Sequence, residues 1–174
     1  MTPLLISLLA SQSVSQSTSQ STSQAPNTCF TEDTRKKITK ATLDLANSNT
    51  KLSHTVQSAS DFGALRGGNE TIAIIMTQDL TDSSLNIAAH FLNLLTISIE
   101  SADPKTRTFS STQLNNLSPM FSSSLRGTLE RVEHALTAIK IKPVYIEIRN
   151  ISDQLKNLQH QLTPCVPANS ASPN

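Results

Sequence analysis

The sequence predicts an all-α fold, an up-and-down bundle of four or five amphipathic helices. Three observations support this prediction. Apolar residues recur at spacings of three and four along most of the chain, which is the period of helices with one buried face. Only four glycines occur in 174 residues, too few for the many tight turns of an all-β fold. Prolines and glycines separate the periodic stretches by short connections, which favours antiparallel neighbouring helices.

Composition divides the chain into four parts. Residues 1–15 begin with a short apolar run without a basic start, and we expect a secretory signal peptide there; a disordered tail with an apolar tip is the alternative. Residues 16–28 continue a Ser/Gln/Thr-rich repeat and are predicted to be a disordered linker. Residues 29–165 form the predicted helical bundle domain. Residues 166–174 have no periodic pattern and are predicted to be a disordered tail.

The first predicted helix begins after Thr31 or Asp33 and carries a narrow apolar stripe at seven-residue intervals. Gly63 and the glycine pair at 67–68 interrupt its pattern. The second helical region, from about 70 to 101, is apolar over more than half of its circumference. It is one long helix, or two that divide near Thr81. We expect it to be either central in the bundle or the lining of a cavity for an apolar ligand.

Two further helices follow. Ser110 and Gln113 have the spacing of a capping box, which predicts that the third helix opens there, with Pro119 in its first turns. Pro143 suits the first position of the last helix. The last helix has the clearest pattern, with apolar residues at spacings of four and three: Val144, Ile148, Ile151, Leu155, Leu158 and Leu162.

Cysteines and glycosylation sequons fit an extracellular protein. Cys29 and Cys165 bracket the helical region, and an even cysteine count in a secreted chain predicts a structural disulfide between them. Three Asn-x-Ser/Thr sequons place candidate glycans on Asn69, Asn116 and Asn150. Only Asn69 is expected near a loop, because the other two lie inside predicted helices.

No motif for catalysis, metal binding or cofactor binding is evident. No two of the four histidines have ligand spacing with a carboxylate, and there is no Gly-x-Ser-x-Gly elbow. The basic run at 35–37 has no aromatic platform beside it, so nucleic acid is not an expected partner. No hydrophobic stretch is long enough for a membrane span. We therefore expect a non-enzymatic protein without a metal or cofactor.

The stretch from 109 to 162 has an ordered set of features. Ser110-Ser111-Thr112-Gln113-Leu114 opens a long helix, a Lys/Pro break follows at 139–143, and Ile151-Ser152-Asp153-Gln154-Leu155-Lys156-Asn157-Leu158 forms the last helix. In these features the chain resembles the fungal hydrophobic surface-binding proteins and cell-wall galactomannoproteins. The resemblance implies an extracellular bundle, associated with the cell wall, that adsorbs to hydrophobic surfaces or holds a fatty acid in an interior pocket. This chain has Asn, Ser and Thr where that family is rich in Ala.

Two classes of function follow from these observations. The first is a secreted helical bundle that binds lipid, a fatty acid or a hydrophobic surface. Its predicted apolar lining consists of Phe91, Leu95, Phe121, Leu125, Ile148 and Leu155. The second is a cytokine-like ligand, effector or inhibitor that acts on a protein partner or receptor. The short predicted connections disfavour a cytokine, whose up-up-down-down topology requires long crossovers.

Overall fold

Four helices account for almost all of the structure. A computed structural model describes residues 30–65 and 68–162, which form α1 (Glu32–Asp61), α2 (Asn69–Glu100), α3 (Pro104–Leu136) and α4 (Lys142–Leu162). Each helix packs on the next, and α1 also packs on α4, which closes the ring. The predicted all-α, up-and-down bundle is confirmed, with four helices in the described residues. The predicted signal peptide, linker and tail lie outside the described residues.

Local sequence sets both ends of α1. The hydroxyl of Thr31 accepts a hydrogen bond from the Thr34 backbone N–H at 3.2 Å, so Thr31, the first of the two predicted starts, is the N-cap. At the other end, the N–H groups of Gly63 and Ala64 bond back to the carbonyls of residues 60 and 59, both at 2.8 Å. This pair of bonds is a Schellman motif. Gly63 has a φ of +67°, a conformation that costs residues with a Cβ atom more than it costs glycine.

Helix α2 is a single unbroken helix of 32 residues, so the break considered near Thr81 does not occur. The hydroxyl of Thr81 bonds to the carbonyl of Thr77 at 2.7 Å, within the helix, instead of capping a new one. Helix α2 ends at Glu100, before Pro104, where the sequence predicts an end. It packs against α1 and α3 and only slightly against α4, so it stands at a corner of the bundle. The expectation that α2 is central is therefore wrong.

The start of α3 differs from the prediction. The helix begins at Pro104, not at the proposed capping box of Ser110 and Gln113. Asp103 is the N-cap, with carboxylate oxygens 3.2 Å from the N–H of Lys105 and 3.0 Å from that of Thr106. These contacts lower the pKa of Asp103. The largest effect comes from the hydrogen bond that the Thr106 hydroxyl donates, followed by those from the backbone N–H groups of Thr106 and Lys105. The capping side chain and the proline at the first position define this start.

The core is aliphatic and has few aromatic side chains. All six apolar residues of the predicted α4 stripe are fully buried, which confirms the pattern read from the sequence: Val144, Ile148, Ile151, Leu155, Leu158 and Leu162. Phe91 and Phe121 stack at 5.9 Å between α2 and α3, and Phe30 contacts Phe91 at 6.2 Å. The first contact joins α2 to α3, and the second joins the segment before α1 to α2.

Polar contacts tie both ends of the bundle. At one end, the guanidinium of Arg35 on α1 binds the carboxylate of Glu100 on α2 and, at 2.9 Å, that of Glu32. At the other end, one carboxylate oxygen of Glu70 accepts from the backbone N–H groups of Lys140 and Ile141 at 2.8 and 2.9 Å. The second contact fixes the start of α2 to the turn between α3 and α4.

Candidate apolar binding face

Helix α2 buries its small residues and exposes several of its large ones. Thr77, Thr81 and Ser84 are at most 3 % exposed, whereas Ile72 and Ile75 are 63 % and 52 % exposed. The three buried hydroxyls bond to carbonyls one turn earlier in their own helix, at 2.7 to 2.9 Å. Because these hydroxyls are satisfied locally, they can be buried without a partner from another helix.

A continuous face without formal charge lies on α2 and α3. No Asp, Glu, Lys or Arg occurs from 83 to 99 on α2 or from 108 to 125 on α3. These stretches are antiparallel neighbours, joined by the Phe91–Phe121 stack. We call this surface the uncharged face. Its exposed apolar side chains include Ile87, Met120 and Phe109, which are 39 %, 67 % and 62 % exposed.

A groove runs between the two helices on the uncharged face. Its volume is about 480 Å³, and its lining is almost entirely apolar. The walls and floor are formed by Asn86, Ile87, His90, Phe91, Leu117, Met120, Phe121 and Ser124. The volume lies within the range of small-molecule sites, and a few polar groups at an apolar groove are the usual composition of such sites. This arrangement can bind an aliphatic chain or an apolar surface; it has no nucleophile paired with a base.

The structure divides the six residues predicted to line an apolar site. Phe91 and Phe121 form the floor of the groove. The other four, Leu95, Leu125, Ile148 and Leu155, are at most 1 % exposed and belong to the packed core. The sequence argument therefore identified the floor residues, which are buried and periodic.

The walls of the groove were missed in the sequence. Ile87 and Met120 are exposed and lie off the inner stripe of their helices, so a search for one buried face passes over them. The signal that could have found them is the absence of charge over two long helical stretches that pack side by side. Exposed positions on a soluble helix are normally rich in charged residues.

The sequons lie in different surroundings. Asn69 is the exposed first residue of α2, next to the turn, and Asn116 is exposed on α3. Asn150 is half-buried on α4, where its amide donates to the Glu147 carboxylate at 3.2 Å. The hydroxyl residues of the latter two sequons, Ser118 and Ser152, are at most 2 % exposed. The predicted disulfide partners, Cys29 and Cys165, lie outside the described residues.

A second, charged groove lies between α3 and α4. There Lys156 and Glu133 form an ion pair at 2.6 Å, and the hydrogen bond that Lys156 donates to the Glu133 carboxylate raises the pKa of Lys156. Both side chains are about half exposed, so the pair contributes little to stability. Tyr145, Arg149 and Asp153 complete the groove, which has the mixed charge of an ordinary solvated surface.

Within the described residues, no three His, Cys, Asp or Glu side chains come together as a metal site. None of the four described helices combines the length and the apolar character required to cross a bilayer. No family model, no curated protein and no solved structure matches this chain.

Proposed function

We propose that this protein is a secreted, non-enzymatic binder of lipid, with the uncharged face as the site that receives an aliphatic chain or a hydrophobic surface. The observation that carries the proposal is the apolar groove of about 480 Å³ between α2 and α3. Burial of apolar side chains against a ligand is favourable by about 25 cal/mol per Å² of apolar surface. The proposed location is extracellular, at a cell wall, as implied by the resemblance to fungal hydrophobic surface-binding proteins.

The outer groove supports this proposal better than an interior pocket does. Leu95, Leu125, Ile148 and Leu155 pack against each other and their neighbours in the core. A ligand among them would have to displace packed side chains. Ile87 and Met120, in contrast, already face solvent beside a formed groove. A ligand there covers apolar surface that water now contacts, without opening the bundle.

The proposal is tested with delipidated full-length protein and a fluorescent long-chain fatty acid. Ile87→Asp and Met120→Asp place a charge in the groove wall and should weaken binding about ten- to hundredfold, the value of one buried apolar side chain. Ile146→Asp is the matched control, because Ile146 is 45 % exposed on α4, away from the groove. Circular dichroism establishes that each variant keeps its helices.

Native mass spectrometry of the secreted protein, followed by organic extraction, gives an independent result. A stoichiometric fatty acid, lost in Met120→Asp and kept in Ile146→Asp, would support the groove. Equal binding by all three variants would move the site away from α2 and α3. Absence of binding by the wild-type protein would refute the proposal and favour a protein partner.

A protein partner is the second class of function. Of its forms, a cytokine-like ligand receives the least support. The four described helices are joined by connections at 62–68, 101–103 and 137–141. These are too short to cross the length of helices of about 30 residues, so the up-up-down-down topology of cytokine bundles is absent from the described residues.

A further inference from the structure

Helix α2 has a second seam on its outer side. Along it, five apolar residues, one serine and two ionisable residues recur at spacings of three and four: Ile72, Met76, Asp79, Ser83, Ile87, His90, Leu94 and Ile97. We call these eight residues the outer seam. All of them are exposed or half-buried, while the inner seam packs on α1 and α3. Such a spacing, sustained over about 37 Å of helix, is the pattern of a helix that packs along another helix.

The outer seam is nearly symmetric about its middle. Isoleucines, Ile72 and Ile97, stand at its two ends, and its two ionisable residues, Asp79 and His90, stand at equal distances from the centre. If a second copy of α2 lies antiparallel along the first, Ile72 meets the Ile97 of that copy, and Met76 meets its Leu94. In the same register, Asp79 meets His90 on both sides of the two-fold axis.

We infer that the chain forms a two-fold dimer through antiparallel packing of the outer seam of α2. In an isologous interface every contact occurs twice, so the seam must be complementary to itself. The imidazole N–H of His90 donates to the carboxylate of Asp79 in each half. The apolar residues at both ends of the seam supply the burial, and α3 contributes Met120, which lines the same groove as Ile87.

A second copy fits the outer seam better than an acyl chain does. Asp79 lines a shallow groove of about 340 Å³ together with apolar side chains that include Ile75 and Leu80. A carboxylate is costly against hydrocarbon, whereas a partner helix can supply a hydrogen-bond donor for it. The inference uses part of the uncharged face but does not rest on ligand binding. If the protein both binds lipid in the groove and dimerises, the lipid and the second copy compete for Ile87 and His90.

A charge exchange tests the inference in the absence of any lipid. In Asp79→Lys a cation meets His90, and in His90→Glu two carboxylates meet; each change should weaken the dimer on the order of tenfold, as measured by sedimentation velocity. The double variant Asp79→Lys/His90→Glu restores opposite charges and should bring the dimer back to within about threefold of wild type. Glu130→Lys, an exposed charge change on α3, is the control.

Cross-linking checks the register separately. Asn86 lies near the proposed two-fold axis, and Ala89 is exposed on another side of the same helix. Asn86→Cys should give a covalent dimer on mild oxidation, and Ala89→Cys should remain monomeric. A wild-type protein that stays monomeric at high micromolar concentration would overturn the inference, as would a double variant that remains as weak as the single ones. Neither result bears on fatty-acid binding, which is measured on its own.

Discussion

Glu70 holds two parts of the bundle together and offers a sharp test of the fold. One of its carboxylate oxygens accepts from the backbone N–H groups of Lys140 and Ile141, at 2.8 and 2.9 Å. Glu70 also lies in the first turn of α2, where negative charge is favourable because of the helix dipole. The substitution Glu70→Ala removes both interactions and leaves the sequon at Asn69 intact.

The expected loss follows from these contacts. A hydrogen bond to a charged group contributes about 1.5–3 kcal/mol when buried, and the half-buried carboxylate of Glu70 places each bond at or below the lower limit. The loss of two such bonds and of the favourable dipole interaction should lower the free energy of unfolding by about 2–3 kcal/mol. For a domain of this size, that loss lowers the melting temperature by about 10 °C.

Urea unfolding followed by circular dichroism measures the change. Glu70→Gln keeps an acceptor oxygen without the charge and should lose about half as much as Glu70→Ala. Glu130→Ala, at an exposed position on α3, is the control and should change stability by less than about 0.5 kcal/mol. Hydrogen exchange of the Lys140 and Ile141 amides should accelerate in Glu70→Ala. If these two amides exchange as in wild type, the proposed tie does not stabilise the turn.

Three further predictions concern the glycines, the start of α3 and the cysteines. Gly63→Ala should destabilise the fold by about 1 kcal/mol because of the positive φ of Gly63. Gly127→Ala, inside α3, should stabilise it by about 0.5–1 kcal/mol, because the added Cβ would meet only the Arg131 side chain at 3.9 Å, an ordinary contact distance. Equal effects of the two substitutions in thermal unfolding would contradict this. The lowered pKa of Asp103 stabilises the fold above about pH 3.8, and this contribution is lost as the pH falls through the lowered value. Wild type should therefore exceed Asp103→Asn in stability at neutral pH, and this difference should shrink as the pH is lowered below about 3.8. A difference in urea unfolding that stays constant on acidification would be evidence against this role. Replacement of Cys29 and Cys165 by Ser should lower stability by up to about 5 kcal/mol. Circular dichroism should still show the helices after reduction, because the four described helices bury an aliphatic core of their own. A complete loss of helix on reduction would contradict this expectation.

The sequence predicted the fold best where the burial of apolar side chains alone determines the structure, as in α4. In α4 the six residues of the apolar stripe follow a strict four-three spacing, and all six are buried. The start of α3 was predicted wrongly because Ser110 begins an apolar period, while the turns before it, at 104–109, are all exposed. An exposed helical segment has no apolar period, so only the cap at Asp103 and the proline after it could have shown the true start.

The orientation of α2 could not be predicted from hydrophobicity. Its large aliphatic residues point both inward and outward, and a threonine such as Thr77 reads as a surface residue in the sequence. Only the hydrogen bond from the Thr77 hydroxyl to the Ala73 carbonyl, at 2.8 Å, makes its burial inexpensive. The site was therefore half predicted. Its floor follows from the periodicity, and its walls depend on which residues of α2 and α3 lie at the outer edge where the two helices meet.

The buried hydroxyls of α2 and α3 also affect how the stability of the protein depends on temperature. Exposure of apolar surface raises the heat capacity on unfolding, and exposure of polar surface lowers it. In this core, serines and threonines occupy inner positions of all four described helices. The heat-capacity change of unfolding should therefore be smaller than the usual value of about 12–15 cal/mol/K per residue. The stability curve becomes broad and shallow. The free energy of unfolding of such a bundle should change little with temperature, and calorimetry measures the heat-capacity change directly.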